Sequence, residues 1–301
     1  MLRRSRELFA DILRQTDLVL LALCAAASLF GVLMVASATR YMHTWRLVAV
    51  QSVALLLGVV LYLVISQIDL NDLCKYWKWI FLVGVVCILL LVTPLGIADN
   101  TGNRAWLDFP FLPVKVQPAE IVKLTLTLVL AKQLVWLKEN RDLSSIPSVL
   151  FLAAHLGVIF VLYYKVSSDM GSALVFLFIF ACMCFVGGVA LRWFLLGGLA
   201  GGLAFWAMWD LNKIPSYMKL RFQVLFDHSL DPQDTGWQQT RSLMALGSGK
   251  LTGQGLFHGT QTQSEYSSAL PNRHTDFIFT VIGEELGLLG CILTLALLTA
   301  I

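Results

Sequence analysis

The stretch Leu270-Pro-Asn-Arg-His-Thr-Asp276-Phe-Ile-Phe-Thr-Val-Ile-Gly-Glu-Glu-Leu-Gly-Leu-Leu-Gly290 decides how this chain is read. A polar loop marked by Pro271 runs straight into an apolar segment. One carboxylate, Asp276, stands at the junction beside Arg273 and His274, and Glu284 and Glu285 follow inside the apolar run. Ionisable groups at or within a membrane segment are costly and are kept where they have a partner or a task. The rest of the chain then reads as the scaffold that brings Asp276 to a membrane–water boundary.

Composition supports that frame. The 301 residues are 57% hydrophobic and 14% charged, where soluble domains have roughly 45–50% apolar and about 25% charged residues. The net charge of +3 comes without a basic run, which argues against a nucleic-acid partner. Cys24, Cys74, Cys87, Cys182, Cys184 and Cys291 lie in or beside apolar segments. None has zinc-type spacing and none falls in a proposed external loop, so they read as inert buried thiols. The basic start, with Arg3, Arg4 and Arg6, is followed by no small-residue cleavage site, so the first apolar run reads as a retained span.

A spanning helix needs about 20 mainly apolar residues. Eight segments meet that rule: 17–37, 47–68, 77–97, 117–137, 148–165, 170–190, 192–210 and 276–300. An all-α polytopic membrane bundle is therefore expected, as one domain over 1–301, with a long polar loop over 211–275. With the N-terminus inside, the inner segments hold Arg3, Arg4, Arg6, Arg14, Lys75, Lys78, Lys132, Lys138, Arg141 and Arg192. The short outer loops hold only Arg40, Arg46, Arg104, Lys115 and Lys165. That bias sets the N-terminus in the cytoplasm and the 211–275 loop outside. The chain stops within its last apolar run, which suggests that further helices follow.

Several local patterns point toward the outer face. Gln117-Pro-Ala-Glu120-Ile-Val-Lys123 opens the fourth span with proline in the first turn, where its missing N–H is harmless. Glu120 and Lys123 are three apart and share a helix face, as a membrane-mouth ion pair or a plain surface pair. Trp106 lies in the preceding loop with Arg104 and Asp108, and suits an interfacial aromatic. Arg46 and Gln51 open the second span. Asp169 precedes the sixth span, as a helix N-cap, a functional carboxylate, or both. In the long loop, Met218–Phe226 has the pattern of an amphipathic helix on a membrane face. A second helical stretch begins near Gly236. The glycines from Gly247 to Gly255 fail the phosphate-loop pattern, with Met244 where glycine is needed and Leu251 in place of serine or threonine. Gly283 and Gly287 have small-xxx-small spacing, which suits tight helix packing.

Taken in order, these residues resemble the SEDS family (shape, elongation, division and sporulation; the RodA/FtsW/SpoVE group). The Leu270–Gly290 stretch is similar to that family's hallmark segment. Asn103-Arg-Ala-Trp106-Leu with Gln117-Pro-Ala-Glu120-Ile-Val-Lys123 is similar to its Arg-Trp-Leu and Gln-Pro-Ser-Glu-Ile-x-Lys motifs. The run from Asp231 through Asp234, Gly236-Trp-Gln, Ser242, Ala245-Leu-Gly-Ser-Gly and Gly253-Gln-Gly255 to His258-Gly-Thr-Gln is similar to its large external loop. The resemblance covers most of the chain and implies ten spanning helices, two more than are found here. Ser167-Ser-Asp169-Met-Gly-Ser172 departs from the family's Gln-Pro-Asp-Leu-Gly-Thr, and Gln263–Pro271 carries extra residues.

The resemblance implies a peptidoglycan glycosyltransferase of the bacterial plasma membrane, with its catalytic face outside. Such proteins polymerise lipid II onto a growing glycan strand and work with a class B penicillin-binding protein. Asp276 matches the family's essential aspartate and is assigned as general base, its basicity raised by a partly dry boundary. The leaving pyrophosphate needs positive charge, from side chains or from a divalent cation, Mg²⁺ or Mn²⁺. Lys123, held by Glu120, is the first candidate, with Arg273 and Arg46 behind it; Trp106 and Asp169 complete the expected substrate site. Two other readings use the same residues: a lipid II transporter and a non-catalytic activator of the penicillin-binding protein.

Overall fold

The computed structural model describes residues 16–98, 103–110, 114–214, 216–233, 235–266 and 268–301. Arg3, Arg4, Arg6, Arg14, Gly102, Pro113, Asp234 and Ser267 fall outside them. The described residues are mostly helical, and the chain divides into two compact units: residues 1–68 with 209–301, and residues 69–208.

In the first unit, α1 (Leu18–Thr39) and α2 (Arg46–Ile65) form a hairpin joined by the 3₁₀ turn Arg40–Met42. Asp17 caps α1 by accepting from the Val19 and Leu20 N–H groups, both at 3.0 Å. The C-terminal half of this unit holds α9 (Ser216–Val224), α10 (Thr235–Ser248) and α11 (Ile278–Ala300). Both helices expected within the 211–275 loop are present. Met34 and Ala38 of α1 pack with Leu270, Val281 and Ile282, all buried, so the hallmark stretch is seated on the end of the first span.

The second unit holds the short α3 (Leu70–Lys75), then α4 (Trp77–Leu90), α5 (Pro118–Asn140), α6 (Ile146–Ser167), α7 (Met170–Gly187) and most of α8 (Leu191–Asp210). Its core joins Ile88, Val122, Leu126, Ile159, Tyr163 and Phe176 from four helices. Strands β1 (Gly96–Ile97) and β2 (Trp106–Leu107) pair antiparallel between α4 and α5.

All eight expected spans are helices, and among the described residues six are long and apolar enough to cross a membrane by themselves. The expected 77–97 span is corrected to the 14 residues Trp77–Leu90. Pro94 disfavours helix in the residue before it and removes a donor, and the chain turns into β1 instead. Helix α5 has 23 residues yet carries Glu120, Lys123, Lys132, Lys138 and Glu139, so it lacks the required apolar run. The exposed faces elsewhere are strongly apolar: α2 buries none of its residues within the protein, and Val53, Leu56, Val60 and Val64 are exposed. That surface suits hydrocarbon contact.

Candidate functional site

The hallmark stretch is built around a broken helix. In α11, Gly287 has φ 67° and ψ −163°, backbone that glycine alone adopts readily. The break frees backbone groups of α11, and the glycine-rich loop after α10 takes them. Gln254 and Gly255 donate to the Glu284 and Glu285 carbonyls, each at 2.9 Å; Leu288 and Leu289 donate to the Lys250 and Leu251 carbonyls at 2.9 and 3.2 Å. A Cβ on Gly253, whose φ is +80°, would overlap the Glu285 carbonyl. These glycines therefore serve a loop-to-helix clasp. The expected glycine packing holds for Gly283, which lies against Leu246, whereas Gly287 is required by its dihedral.

Glu284 and Glu285 are both fully buried. Neither forms an ion pair among the described residues, and loop donors surround both. Glu284 Oε1 accepts from the Gln261 N–H at 2.7 Å and the Thr260 hydroxyl at 3.1 Å; its Oε2 accepts from the Thr262 N–H at 2.8 Å and the Thr262 hydroxyl at 2.6 Å. Glu285 accepts from the Ser37 hydroxyl at 2.6 Å, the Phe257 N–H at 3.0 Å and Gln263 Nε2 at 2.8 Å. The two carboxylates thus tie residues 257–263 to α11 and, through Ser37, to α1.

Arg273 is the third anchor. It is 1% exposed and donates to the Gln261, Thr262 and Ser264 carbonyls, while its guanidinium lies 3.4 Å from the Tyr41 ring centroid. Burial pushes its pKa below the ordinary value, with Tyr41 and Glu284 acting in the opposite direction. Its contacts to three backbone carbonyls make Arg273 a buried loop clamp.

Asp276 stands on this platform, two residues before α11, and its side chain is exposed. Among the described residues it has no ion pair. Arg273, Glu284 and Glu285 are buried, whereas Asp276 is exposed. Arg46 is exposed at the first position of α2, its N–H 3.3 Å from the Thr44 hydroxyl.

The second unit, taken by itself, has its own polar group. Lys123 Nζ lies 2.7 Å from Glu120 Oε2, with Lys123 29% and Glu120 62% exposed by side chain, so the expected pair forms. Trp106 lies in β2 opposite Ile97 and is partly exposed. Arg104 anchors the same hairpin, donating through Nε to the Gly96 carbonyl at 3.1 Å and through its backbone N–H to the Ser167 carbonyl at 2.9 Å. Asp169 caps α7: its Oδ1 accepts from the Ser172 N–H at 3.3 Å, and its Oδ2 from the Ser172 hydroxyl at 2.6 Å and the Tyr163 hydroxyl at 3.2 Å. Capping is the role its contacts display.

No group of three or more His, Cys, Asp or Glu side chains among the described residues is arranged to hold a metal ion. Sequence reasoning missed Ser37, Thr262 and Gln263 as partners of the buried glutamates. Ser37 is 248 positions from Glu285, and no local pattern links them.

The profile of the cell cycle protein family FtsW/RodA/SpoVE matches residues 15–301. Peptidoglycan glycosyltransferase MrdB of Escherichia coli (strain K12) is 34% identical over 245 residues, covering 80% of this chain and 62% of MrdB. The chain thus spans less than two thirds of that relative's length. The probable peptidoglycan glycosyltransferase FtsW of Geobacter metallireducens is 33% identical over 291 residues, covering 93% of this chain and 74% of that protein. Among solved structures, a chain of a peptidoglycan synthase complex that coordinates polymerization and crosslinking superposes with a TM-score of 0.74 at 28% identity, covering 95% of this chain and 75% of that one. The rod shape determining protein RodA of Thermus thermophilus gives 0.62 at 26% identity, with 95% and 72% covered.

Proposed function

The chain belongs to the FtsW/RodA/SpoVE family of cell cycle proteins, and on that premise we propose that it is a membrane glycosyltransferase that polymerises lipid II into peptidoglycan strands. The observation that carries this reading is one exposed carboxylate, Asp276, on a loop held by three buried charged anchors, Arg273, Glu284 and Glu285. Rigid support of a single reactive group is what positional catalysis requires.

In this mechanism Asp276 takes the proton of the acceptor's GlcNAc 4-hydroxyl. The freed oxygen attacks the anomeric carbon of the growing strand. A new glycosidic C–O bond forms as the bond from that carbon to pyrophosphate breaks. Undecaprenyl pyrophosphate departs with the electron pair, and the proton on Asp276 passes to water. The naming of relatives as peptidoglycan glycosyltransferases supports the reaction class. The superposition on a synthase complex chain supports a class B penicillin-binding protein as partner. The protein lies in the bacterial plasma membrane, with its N-terminus cytoplasmic and Asp276 outside.

A transporter would set its buried carboxylates along a path. Here the oxygens of Glu284 and Glu285 are taken up by loop and α1 donors, which favours the enzyme. The test is glycan synthesis from purified lipid II by the full-length protein with its penicillin-binding protein, in detergent and without an ion gradient. Polymer is expected. Lipid II moved across vesicles without polymer would replace this reading with transport.

A further inference from the structure

We propose that Tyr41, in the 3₁₀ turn after α1, is a positioning residue for Asp276 that acts through Arg273. The inference rests on the reading of Asp276 as the base and adds the group that keeps it in place. All the residues involved belong to the first unit. The backbone around Asp276 closes on itself: the Thr275 and Phe277 N–H groups donate to the Asn272 carbonyl at 3.0 and 3.2 Å. Such a turn fixes its residues to one another and leaves their attachment to the rest of the protein to the segment's two ends. One end is α11. The other is Arg273, buried three residues before Asp276.

Arg273 forms no ion pair among the described residues, and its Nε is buried without a hydrogen-bond partner. Its guanidinium lies 3.4 Å from the centroid of the Tyr41 ring. Guanidinium stacks on aromatic faces, and the attraction grows when the pair is desolvated. The ring therefore joins the loop carbonyls in offsetting the burial of this charge, and it is the contact that ties Arg273 to α1. Tyr41 is itself held by the end of that helix. Ser37, four residues earlier, donates to Glu285 at 2.6 Å, and Gln263 Nε2 donates to the Ser37 hydroxyl and carbonyl at 3.0 and 3.2 Å. Met34 and Ala38 pack with Leu270, Val281 and Ile282. One end of α1 thus grips the chain on both sides of Asp276: Leu270 and Arg273 before it, Val281 and Glu285 after it. Loss of the stack frees the leading side alone, which is the side that sets where the carboxylate points.

The test is a double-mutant cycle on the initial rate of polymer formation from lipid II, with the full-length protein and its penicillin-binding protein. Tyr41→Leu and Tyr41→Phe are each made with Asp276 present and with Asp276→Asn. Tyr41→Leu should slow polymer formation roughly 10–100-fold, the cost of a slightly displaced reacting group. Tyr41→Phe, which keeps the ring face, should recover most of that rate. With Asp276→Asn, Tyr41→Leu should change the residual rate by less than about twofold, because no base is left to misplace. A folding defect would slow both backgrounds alike. Amide hydrogen exchange needs no polymer: Tyr41→Leu should speed exchange over residues 270–277 and leave α5 and α6 as in wild type. If Asp276→Asn makes polymer at the wild-type rate, the base reading fails, and exchange alone decides whether Tyr41 holds the segment. The proposal is overturned if Tyr41→Leu slows both backgrounds alike, if Tyr41→Phe is as slow as Tyr41→Leu, or if exchange over 270–277 is unchanged.

Discussion

At the residue scale, four charged side chains within a short stretch take opposite fates. Arg273, Glu284 and Glu285 are buried and bonded, while Asp276 is exposed. Replacing Glu284 by alanine would leave the Gln261 and Thr262 N–H groups without acceptors. Each such buried orphan costs about 1–3 kcal/mol, so thermal unfolding of Glu284→Ala in detergent should show a loss of about 3 kcal/mol or more. A melting temperature equal to wild type would contradict the clamp. Glu284→Gln should also destabilise, because an amide nitrogen cannot accept where Glu284 accepts with both oxygens. The sequence showed that two glutamates in an apolar run needed partners. It did not reveal the partners, because Ser37 meets Glu285 only through tertiary structure. Asp169 was legible as a cap, a functional carboxylate or both from its place before the helix, and the bond from the Ser172 N–H bears out the cap.

At the element scale, the break in α11 is the decisive feature. A straight helix would satisfy its own backbone and leave the loop from Lys250 to Gly255 without partners. Gly287→Ala should strain the φ 67° position by about 1–3 kcal/mol, and its Cβ would overlap the Leu251 carbonyl. Lower melting temperature and faster proteolysis of the 249–263 loop are expected; unchanged digestion would argue that the loop is held without the break. The sequence presented Gly283 and Gly287 as a packing pair, because spacing reports a helix face and is blind to a dihedral. It likewise extended α4 past Leu90, since hydropathy runs on through Leu95 while Pro94 ends the helix. The helix positions themselves were legible throughout, because about 20 apolar residues between polar turns is a signal that tertiary contacts seldom override.

At the scale of the whole molecule, the proposed orientation sets the 211–275 loop outside and the α2–α4 connection inside. Cys74 lies in that connection, within the short α3, and is partly exposed. Tyr266 is 78% exposed in the long loop. A membrane-impermeant maleimide applied to intact spheroplasts should label Tyr266→Cys and reach Cys74 only after permeabilisation. The reverse pattern would invert the topology and remove Asp276 from the outer face. The positive charges that suggested this orientation were read from short loops alone, and four of the inner ones precede the described residues.

The central claim is that Asp276 is the base that starts glycan transfer. Its most direct test is the initial rate of polymer formation from lipid II by the full-length protein with its penicillin-binding protein, comparing wild type with Asp276→Asn. Removing a positioned general base typically lowers the rate about 10²–10⁴-fold, and because Asp276 is exposed the variant should melt as wild type does. Loss of polymer from a variant with unchanged melting is the predicted result. Polymer formed at the wild-type rate would contradict the assignment.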